Sequence, residues 1–359
     1  MTLNEPSSQS STPAVCEAIT QSGNQKAWIA AICSLDESSR FLCSDWTQIL
    51  HKAYGFEPEL VILLAGERVE AVLPFVEVNS ILTGKRAVSL PFIDICRPSA
   101  RDSNHIPLLH AALRAEGKKR GWNYLELRGE IPENESPQSS LSFFNHIVDL
   151  RPCPDNIFAD LAPSNRRAIR KAQKEGIRIE FSHSLGSLRG FYRLQCITRK
   201  RHGLPSQPFK FFKCLHKVLI ETRRGVIVSA FTNDNRLAAS AIYLEQGSTV
   251  HYKYGASDKN FQNSRCNNLV MWSAMEHYSK RGFHQMDLGR NSTTNAGLRR
   301  YKLSWGSSEQ EVHYQRYDLK KNATVPMSDD VFGWHNSVFK RLPIPILRLA
   351  GRLLYRHIA

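Results

Sequence analysis

The chain has 359 residues, of which 42% are hydrophobic and 23% are charged, a balance typical of globular proteins that excludes a wholly disordered or fibrous chain. No run of about 18 uncharged apolar residues occurs, so we expect no integral membrane span, and the opening residues do not resemble a secretory signal. The formal net charge is +15, but residues 1–150 carry −5, residues 151–318 carry +15 and residues 319–359 carry +5. The sequence therefore predicts that anionic partners bind the second half.

The cysteines and histidines indicate no metal centre. Eight cysteines are scattered without a C-x-x-C pair, and thirteen histidines show no spacing typical of metal ligands. We therefore expect no metal site. A chain of this length can bury its core without disulfides, and scattered thiols suit a reducing compartment, which predicts a cytoplasmic protein.

The first half is predicted to contain a leader and one α/β unit. Residues 1–26 are rich in Ser, Thr, Gln, Asn and Pro and are interpreted as a flexible leader. Residues 27–150 form the first domain, and a loose stretch within residues 129–160 predicts the boundary to the second. Its predicted elements are strands Glu59–Ala65, Arg68–Val78 and Ile81–Phe92, a helix after Asn104 that ends at Gly121, and strand Trp122–Leu127.

The second domain, residues 151–318, repeats this order. Its predicted elements are strands Gly225–Thr232, Arg236–Leu244 and Thr249–Tyr254, helix Asn268–Arg281, and strand Phe283–Leu288. In both regions the helix ends in two basic residues and a glycine, Gly121 or Gly282, and an acidic residue follows five positions later. Good helix capping explains part of this match, but the matching order of four strands and a helix indicates internal duplication. We expect two superposable units, each with its own sheet.

Further helices surround the second repeat. Three helices precede its hairpin. The first is capped by Ser164 and runs to Lys174, and the other two are Leu188–Arg201 and Phe209–Thr222. The tail, residues 319–359, is basic, and within 334–358 arginines recur every four residues opposite apolar positions. This pattern predicts a basic amphipathic helix, which either lies on an anionic inner leaflet or docks on its own domain.

Several second-half motifs resemble one enzyme family. They are Asn165–Ala172 with Gly176-Ile177, Thr198-Arg199-Lys200-Arg201-His202-Gly203 with Leu204-Pro205, Tyr254-Gly255-Ala256-Ser257, Asp287-Leu288-Gly289, and Gly297–Gly306. In order and spacing they resemble the FemAB-like tandem GNAT acyltransferases, over roughly residues 27–318, and His-Gly-Leu-Pro is similar to the exopolysaccharide-associated branch. The resemblance implies an α/β fold of two tandem GNAT-like domains with mixed central sheets, followed by the amphipathic helix. It also implies acyl-CoA or aminoacyl-tRNA as the co-substrate.

Three residues are candidate catalytic groups, because acyl transfer to an amine needs a deprotonated amine and a stabilised oxyanion. The resemblance places Lys302 at the reacting centre, where its charge would stabilise an oxyanion or a leaving ribose hydroxyl. Asp287 ends an apolar strand and could act as a general base or position the acceptor amine. His202 could act as an acid or base near neutral pH. The alternatives are a basic surface cluster for Lys302 and a helix cap or ion pair for Asp287.

Arginines are the main candidates for binding substrate. Arg199 and Arg201 could clamp an anionic acceptor such as a sugar nucleotide diphosphate, although a helix C-terminus favours basic residues through its dipole alone. Arg166 and Arg170 either face solvent or contact phosphates, including those of a charged tRNA.

The remaining candidates surround the predicted donor site. Tyr254 and Ser257 resemble the strand end that faces the acceptor, and Arg299 belongs to the basic cluster around Lys302. In the GNAT arrangement the donor lies where neighbouring strands diverge, with its phosphates near a helix N-terminus. The corresponding cofactor-binding candidates are Asn263, Ser264, Arg265 and Asn267. Their loop lacks the usual glycine-rich motif, which leaves the donor open.

The sequence thus predicts an N-acyltransferase of the GNAT/FemAB type that acts on an amino group of a cell-envelope or exopolysaccharide precursor. No tightly bound cofactor is expected. The expected partners are an anionic saccharide or sugar-nucleotide acceptor, tRNA and, through residues 334–358, an anionic membrane. The first repeat is expected to serve as scaffold and cleft wall. The alternative is a non-catalytic nucleic-acid-binding protein that uses the basic second half, although no RNA-binding or helix-turn-helix motif supports it.

Overall fold

The computed structural model describes residues 16–22, 35, 41–129, 139–329 and 334–357. In chain order the strands are β1 (Cys16–Ser22), β2 (Pro58–Ala65), β3 (Arg68–Ser80), β4 (Gly84–Val88), β5 (Ser99–Ala100), β6 (Tyr124–Arg128), β7 (Leu141–Asp149), β8 (Arg178–Ser182), β9 (Gly225–Phe231), β10 (Leu237–Gln246), β11 (Thr249–Ser257), β12 (Gln285–Ser292), β13 (Ser308–Asp318) and β14 (Ala323–Val325). They form one mixed sheet, whose main path is β1-β2-β3-β4-β6-β13-β7-β12-β11-β10-β9-β8.

Helices lie on both faces of this sheet. They are α1 (Thr47–Tyr54), α2 (Ile106–Arg120), α3 (Pro154–Asp160), α4 (Pro163–Lys174), α5 (Leu185–His202), α6 (Phe209–Leu215), α7 (Cys266–Lys280), α8 (Ala296–Leu303), α9 (Trp334–Arg341) and α10 (Ile344–Leu354). A π-helical turn, Phe41–Trp46, leads into α1, and another, His216–Ile220, follows α6.

The two repeats have the same strand order and direction. In the first, β2, β3 and β4 are antiparallel neighbours, and α2 crosses over so that β6 pairs parallel to β4. In the second, β9, β10 and β11 are antiparallel neighbours, and α7 crosses over to β12, parallel to β11. A glycine of positive φ follows each crossover helix, Gly121 at 70° and Gly282 at 79°. The predicted duplication of strand order and direction is confirmed.

The expectation that each repeat has its own sheet is wrong. β7 follows the first repeat in the chain but pairs with β12 of the second, and β13 follows the second repeat but pairs with β6 of the first. β7 and β13 also pair with each other, so that they join the two halves into one sheet. Local periodicity did not reveal this exchange, because it reports which face of a strand is buried and not which distant strand lies beside it.

Part of the predicted flexible leader is a strand. Residues 16–22 form β1, which pairs antiparallel with β2 at the edge of the sheet. An edge strand is held mainly by backbone hydrogen bonds, so a polar composition did not exclude it. For residues 16–22 the expectation of a flexible leader over 1–26 is therefore wrong, and the other residues of that range lie outside the described part of the chain.

Several element boundaries differ from the sequence expectations, and the clearest differences concern the third predicted strand and Ser164. The third predicted strand, Ile81–Phe92, is shorter and covers only Gly84–Val88, because the preceding residues form the turn after β3. Ser164 lies inside α4 and does not cap it, since Ala162 occupies the N-cap position. Neither difference changes the order of elements.

One hydrophobic core joins the two repeats. Helices α1, α5 and α6 pack between the β2–β3 and β9–β10 hairpins, and the core includes Trp46, Ile49, Leu60, Val72, Phe191, Phe211, Phe212, Ile227 and Ile242. A second core lies under α7 and a third under α2. Because the first core draws on both repeats, their relative placement, and the site between them, is set by packing.

The C-terminal helix α10 docks on its own protein through one face. Leu347 and Gly351 are buried there, and a Cβ at Gly351 would overlap the carbonyl of Ser206. Tyr355 is also buried and accepts a hydrogen bond from Arg199 at 2.8 Å. The opposite face remains exposed. Within the described ranges, no helix has the length and apolar character needed to cross a bilayer.

Candidate active site between β11 and β12

The central strands of the second repeat diverge. β11 runs to Ser257 and β12 to Ser292, yet their parallel pairing covers only residues 249–251 opposite 285–287. Beyond this point a small cavity opens, lined by Phe41, Ile93, Asp94, Ile95, Gln246, His251, Tyr252, Lys253, Asp287 and Gly289. The divergence corresponds to the place where the sequence predicted the acyl donor.

An irregularity in β12 turns one backbone carbonyl toward α8. The register between β12 and β7 shifts between Asp287 and Arg290, and Gly289 within it has φ 75°. The amide of Gly289 donates a hydrogen bond to Asp287 Oδ1 at 2.7 Å. Its carbonyl accepts a hydrogen bond from Lys302 Nζ at 2.6 Å. A left-handed residue is least costly as glycine, which explains Gly289 at this position.

Lys302 is a buried ammonium group, with 6% of its surface exposed, and it contacts Gly289, one of the residues that line this opening. Burial lowers the pKa of Lys302 from 10.5 to about 8, and the carboxylates of Asp94 and Asp287 oppose that shift. A lysine with a pKa of about 8 is mostly protonated at neutral pH but can give up a proton at moderate cost. It suits a group that stabilises negative charge or protonates a leaving atom.

Asp287 is buried and ionised. Burial would raise its pKa, but hydrogen bonds from His251 and from the amide of Gly289 outweigh burial and hold the pKa below its ordinary value. Its Oδ2 lies 3.2 Å from His251 Nδ1. The other ring nitrogen of His251 lies 2.8 Å from Gln246 Oε1. A carboxylate of such low basicity is better suited to orienting His251 or an acceptor ammonium than to removing a proton alone.

Three further polar residues that the sequence patterns did not identify line the cavity. Asp94 comes from the first repeat, and its carboxylate lies 3.8 Å from Lys253 Nζ and 3.6 Å from Arg290 Nε. His251 and Lys253 come from β11. Asp94 follows the short apolar run Pro91-Phe92-Ile93, which is the one indication of it in the sequence.

Three predicted residues lie at the C-terminus of α5, outside this cavity. Arg199 donates hydrogen bonds to the carbonyl of Pro205 at 3.2 Å and to Tyr355 Oη at 2.8 Å, so it fastens the C-terminal segment. Arg201 and His202 are exposed beside it. Partial desolvation of the ring, followed by the charge of Arg201, lowers the pKa of His202. The structure does not bring these side chains together with Lys302.

The two predicted residues of β11 differ in environment. Tyr254 packs its ring against Phe212 at 5.2 Å, and burial raises the pKa of its hydroxyl well above the ordinary value. Ser257 ends the strand, where its amide donates to Thr198 Oγ1 at 3.2 Å. Asn267 Nδ2 donates to Ser257 Oγ at 3.1 Å, which connects this strand end to the start of α7.

The four cofactor-binding candidates surround the N-terminus of α7. Asn263 and Ser264 end a 3₁₀ turn, Arg265 has φ 55°, and Asn267 lies in the first turn of α7. Free amides at a helix N-terminus attract phosphate groups. A hydrogen bond from Ser264 lowers the pKa of Glu175, so a carboxylate also lies beside this turn.

The other basic candidates have partners within the protein. Arg299 forms two hydrogen bonds with Glu309, at 2.7 and 2.8 Å. Arg166 donates to the carbonyl of Ala159 at 2.7 Å, and Arg170 lies over the ring of Phe158 at 5.6 Å. Both α4 arginines belong to a helix that packs against α7, close to the proposed phosphate site.

Comparisons with known proteins agree with this architecture. Residues 164–303 match the family model described as an acetyltransferase (GNAT) domain. The chain is similar to the crystal structure of FemX, with TM-score 0.63, 14% identity, and 85% of this chain and 98% of that chain covered. No curated protein matches the chain.

Two further solved structures have the same fold. One is the C-terminal domain of a putative lysylphosphatidylglycerol synthetase from Agrobacterium fabrum, with TM-score 0.53, 10% identity, and 80% of this chain and 90% of that chain covered. The other is a tandem GNAT protein from the clavulanic acid biosynthesis pathway, with TM-score 0.52, 12% identity, and coverages of 88% and 100%. The fold is thus tandem GNAT-like, the chain is an acyltransferase, and the match to the GNAT domain model lies within the basic half. The matched residues lie in the basic second half, on which the nucleic-acid-binding alternative was based, and the match favours the enzyme.

Proposed function

We propose that this protein transfers an acyl or aminoacyl group, from acyl-CoA or aminoacyl-tRNA, to an amino group on a cell-envelope or exopolysaccharide precursor. The observation that carries the proposal is the divergence of β11 and β12, with a buried lysine and a buried carboxylate at its base. An activated acyl group could enter such an opening and meet a positive charge where its oxygen becomes negative.

The chemistry assigns a task to each group. The acceptor nitrogen attacks the acyl carbon, a C–N bond forms, and the C–S bond of a thioester or the C–O bond of a ribose ester breaks. Lys302 would stabilise the oxyanion and protonate the leaving sulfur or oxygen. Asp287 and His251 would orient the acceptor and take up the proton that its nitrogen loses. Asp94 would hold the acceptor ammonium before its deprotonation.

Basic and polar side chains support an anionic donor and acceptor. Phosphates of either donor would lie at the N-terminus of α7, with Asn263, Ser264, Arg265 and Asn267 as the candidate contacts. Arg166 and Arg170 would bind further phosphates, including those of a tRNA. The remaining candidate contacts for an anionic saccharide or sugar-nucleotide acceptor are Arg199, Arg201, Arg299, Tyr254 and Ser257, with His202 as a second acid or base. The hydrogen bonds of Arg199 and Arg299 within the protein favour Arg201 among them.

We place the protein in the cytoplasm, with a peripheral membrane contact through residues 334–358. The exposed face of α10 supports that contact. An acceptor that belongs to an envelope or exopolysaccharide precursor is consistent with such a location, and the exopolysaccharide-associated branch remains part of the proposal.

Donor-dependent amide formation tests the proposal. Purified protein is incubated with radiolabelled acetyl-CoA or with charged tRNA, together with amino sugars, amine-bearing sugar nucleotides and lysine-containing peptides. We expect amide product with one of the two donor classes. Free CoA should compete with acetyl-CoA, and uncharged tRNA should compete with charged tRNA. Lys302→Ala should reduce it, whereas Arg300→Ala, an exposed charge on the same helix, should not. Tight binding of uncharged RNA of any sequence without product from either donor would contradict the proposal.

A further inference from the structure

Two elements far apart in the chain carry exposed apolar side chains. On α10, Ile346, Leu349 and Leu353 are between 47% and 60% exposed. In the turn after β3, Ile81 is 97% and Leu82 is 61% exposed. Single exposed apolar residues are normal on protein surfaces, but groups of them mark interaction sites. These groups therefore require an explanation.

Hydrogen bonds place the two groups beside each other. Thr83 Oγ1 donates to the carbonyl of His357 at 3.0 Å, and His357 Nδ1 lies 3.0 Å from Ser80 Oγ. Ser80 and Thr83 flank the two exposed residues of the turn, and His357 lies one helical turn beyond the last exposed leucine of α10. The turn and the end of α10 thus form one continuous part of the surface.

The same part of the surface is positively charged. Residues 343–357, which include α10, contain three arginines and no Asp or Glu. Arg348, Arg352 and Arg356, with Lys210 of α6, border a groove whose other lining residues include Tyr54, Tyr192 and Phe209. Arg348 lies over the ring of Tyr192 at 5.4 Å. Cations beside apolar side chains match the anionic headgroups and acyl chains of a lipid leaflet.

The exposed face is what remains after α10 has docked. Leu347, Gly351 and Tyr355 already bury the other face of the helix, so the exposed leucines are not needed to hold it in place. A second copy of the chain would bring an equally positive surface to this one, and like charges would oppose that contact. An anionic bilayer has the complementary charge.

We propose that Ile81, Leu82 and the exposed face of α10 form one docking surface for an anionic lipid bilayer. The apolar side chains insert at headgroup level, while the arginines bind lipid phosphates. This inference rests on the peripheral membrane contact proposed above, adds a second anchoring element from the first repeat, and is independent of the transfer chemistry. The docking surface holds the enzyme at the membrane, where membrane-attached acceptors are present.

Vesicle flotation tests the docking surface without any acyl donor. The full chain should float with phosphatidylcholine vesicles that contain phosphatidylglycerol, but not with pure phosphatidylcholine, and salt should release it. Leu349→Ser/Leu353→Ser and Ile81→Ser/Leu82→Ser should each lower binding severalfold. Arg348→Gln/Arg352→Gln should weaken partitioning roughly 30-fold, at about 1 kcal/mol per cation near such a surface.

Matched controls lie elsewhere on the protein. Leu108→Ser changes a similarly exposed leucine of α2. Arg151→Gln/Lys280→Gln removes two exposed cations from the other repeat. Both controls should bind like the wild type. In a separate variant, Leu82→Trp, the fluorescence should shift to shorter wavelength on anionic vesicles only.

Any one of three results with vesicles would overturn the proposal. They are a folded wild type that does not float with anionic vesicles, serine variants that bind as well as wild type, and a Leu82→Trp spectrum unchanged by vesicles. Dimerisation that both serine variants abolish, without vesicle binding, would assign the surface to a second copy and also overturn it. Amide formation with a water-soluble acceptor, measured in parallel, shows separately whether the transfer activity is present.

Discussion

Lys302 reaches from α8 to the backbone of β12 and donates a hydrogen bond to the carbonyl oxygen of Gly289 at 2.6 Å. The contact depends on the left-handed conformation of Gly289 and on the shifted register beside it. Among the residues that the structure describes, this buried ammonium group has one hydrogen-bond acceptor for its three protons, so it is incompletely satisfied. The remaining protons are available to a substrate oxygen.

Removing this ammonium group should affect turnover more than affinity. We expect Lys302→Ala to lower kcat about 10²–10³-fold, the usual scale for losing a group that stabilises an oxyanion. The KM values for donor and acceptor should change little by comparison. Steady-state kinetics with Arg300→Ala as the charge control measures this. Near-normal turnover in Lys302→Ala would show that Lys302 does not stabilise the transition state.

The pH profile should report the same group. If protonated Lys302 is required, kcat should fall as pH rises through about 8, the pKa of the buried ammonium group. The carboxylate of Asp94 raises that pKa, so Asp94→Asn should move the falling limb to lower pH. Asp149→Asn, an exposed carboxylate on β7, is the control. If the fall of kcat at high pH is unchanged in Asp94→Asn, a group other than Lys302 causes it.

Stability should depend on pH through Lys302 as well. Its pKa is lowered in the folded protein, so the unfolded chain binds more protons between about pH 8 and 10.5. The free energy of unfolding should therefore rise with pH across this window, and the unfavourable contribution of the group is fully present below about pH 8. Urea unfolding of the wild type and of Lys302→Met at about pH 8 and at about pH 10.5 measures this change in the free energy of unfolding. Equal pH slopes in both proteins would contradict the assignment.

Arg199 and Arg201 should separate in their effects. Arg199 holds Pro205 and Tyr355, so Arg199→Ala should lower the melting temperature by loosening the C-terminal segment. Arg201 is exposed, and Arg201→Ala should leave melting unchanged while raising the acceptor KM, because a clamp binds before and during reaction alike. Thermal unfolding measures the melting temperature of each variant, and kinetics at varied acceptor concentration measure the acceptor KM. An unchanged acceptor KM in Arg201→Ala would remove it from the acceptor site.

Local features of the fold were predictable because their physical causes are local. Gly121 and Gly282 end the crossover helices in the left-handed conformation that glycine favours. The alternating and continuous apolar runs identified the hairpins in both repeats. The pairing of β13 with β6 was not predictable from these patterns, because it depends on the path of the chain over long distances.

The candidate site was predictable only in part. Lys302 and Asp287 were found through a family motif and through a carboxylate that ends an apolar strand. Asp94 was not predicted because its position depends on how the segment after β4 comes to lie beside β11 of the other repeat, where its carboxylate is close to Lys253. His251 was missed because a single histidine on a strand has no local pattern to distinguish it. Its role depends on the carboxylate opposite it.

The exchange of β7 and β13 has a consequence for biosynthesis. β6 is complete by residue 128, but its neighbour β13 begins about 180 residues later, at residue 308. On the ribosome the nascent chain must therefore carry an open strand edge until β13, which ends at residue 318, has emerged. Such an edge can pair with another chain, so truncated products are expected to aggregate. For the same reason neither repeat is expected to fold as an independent domain.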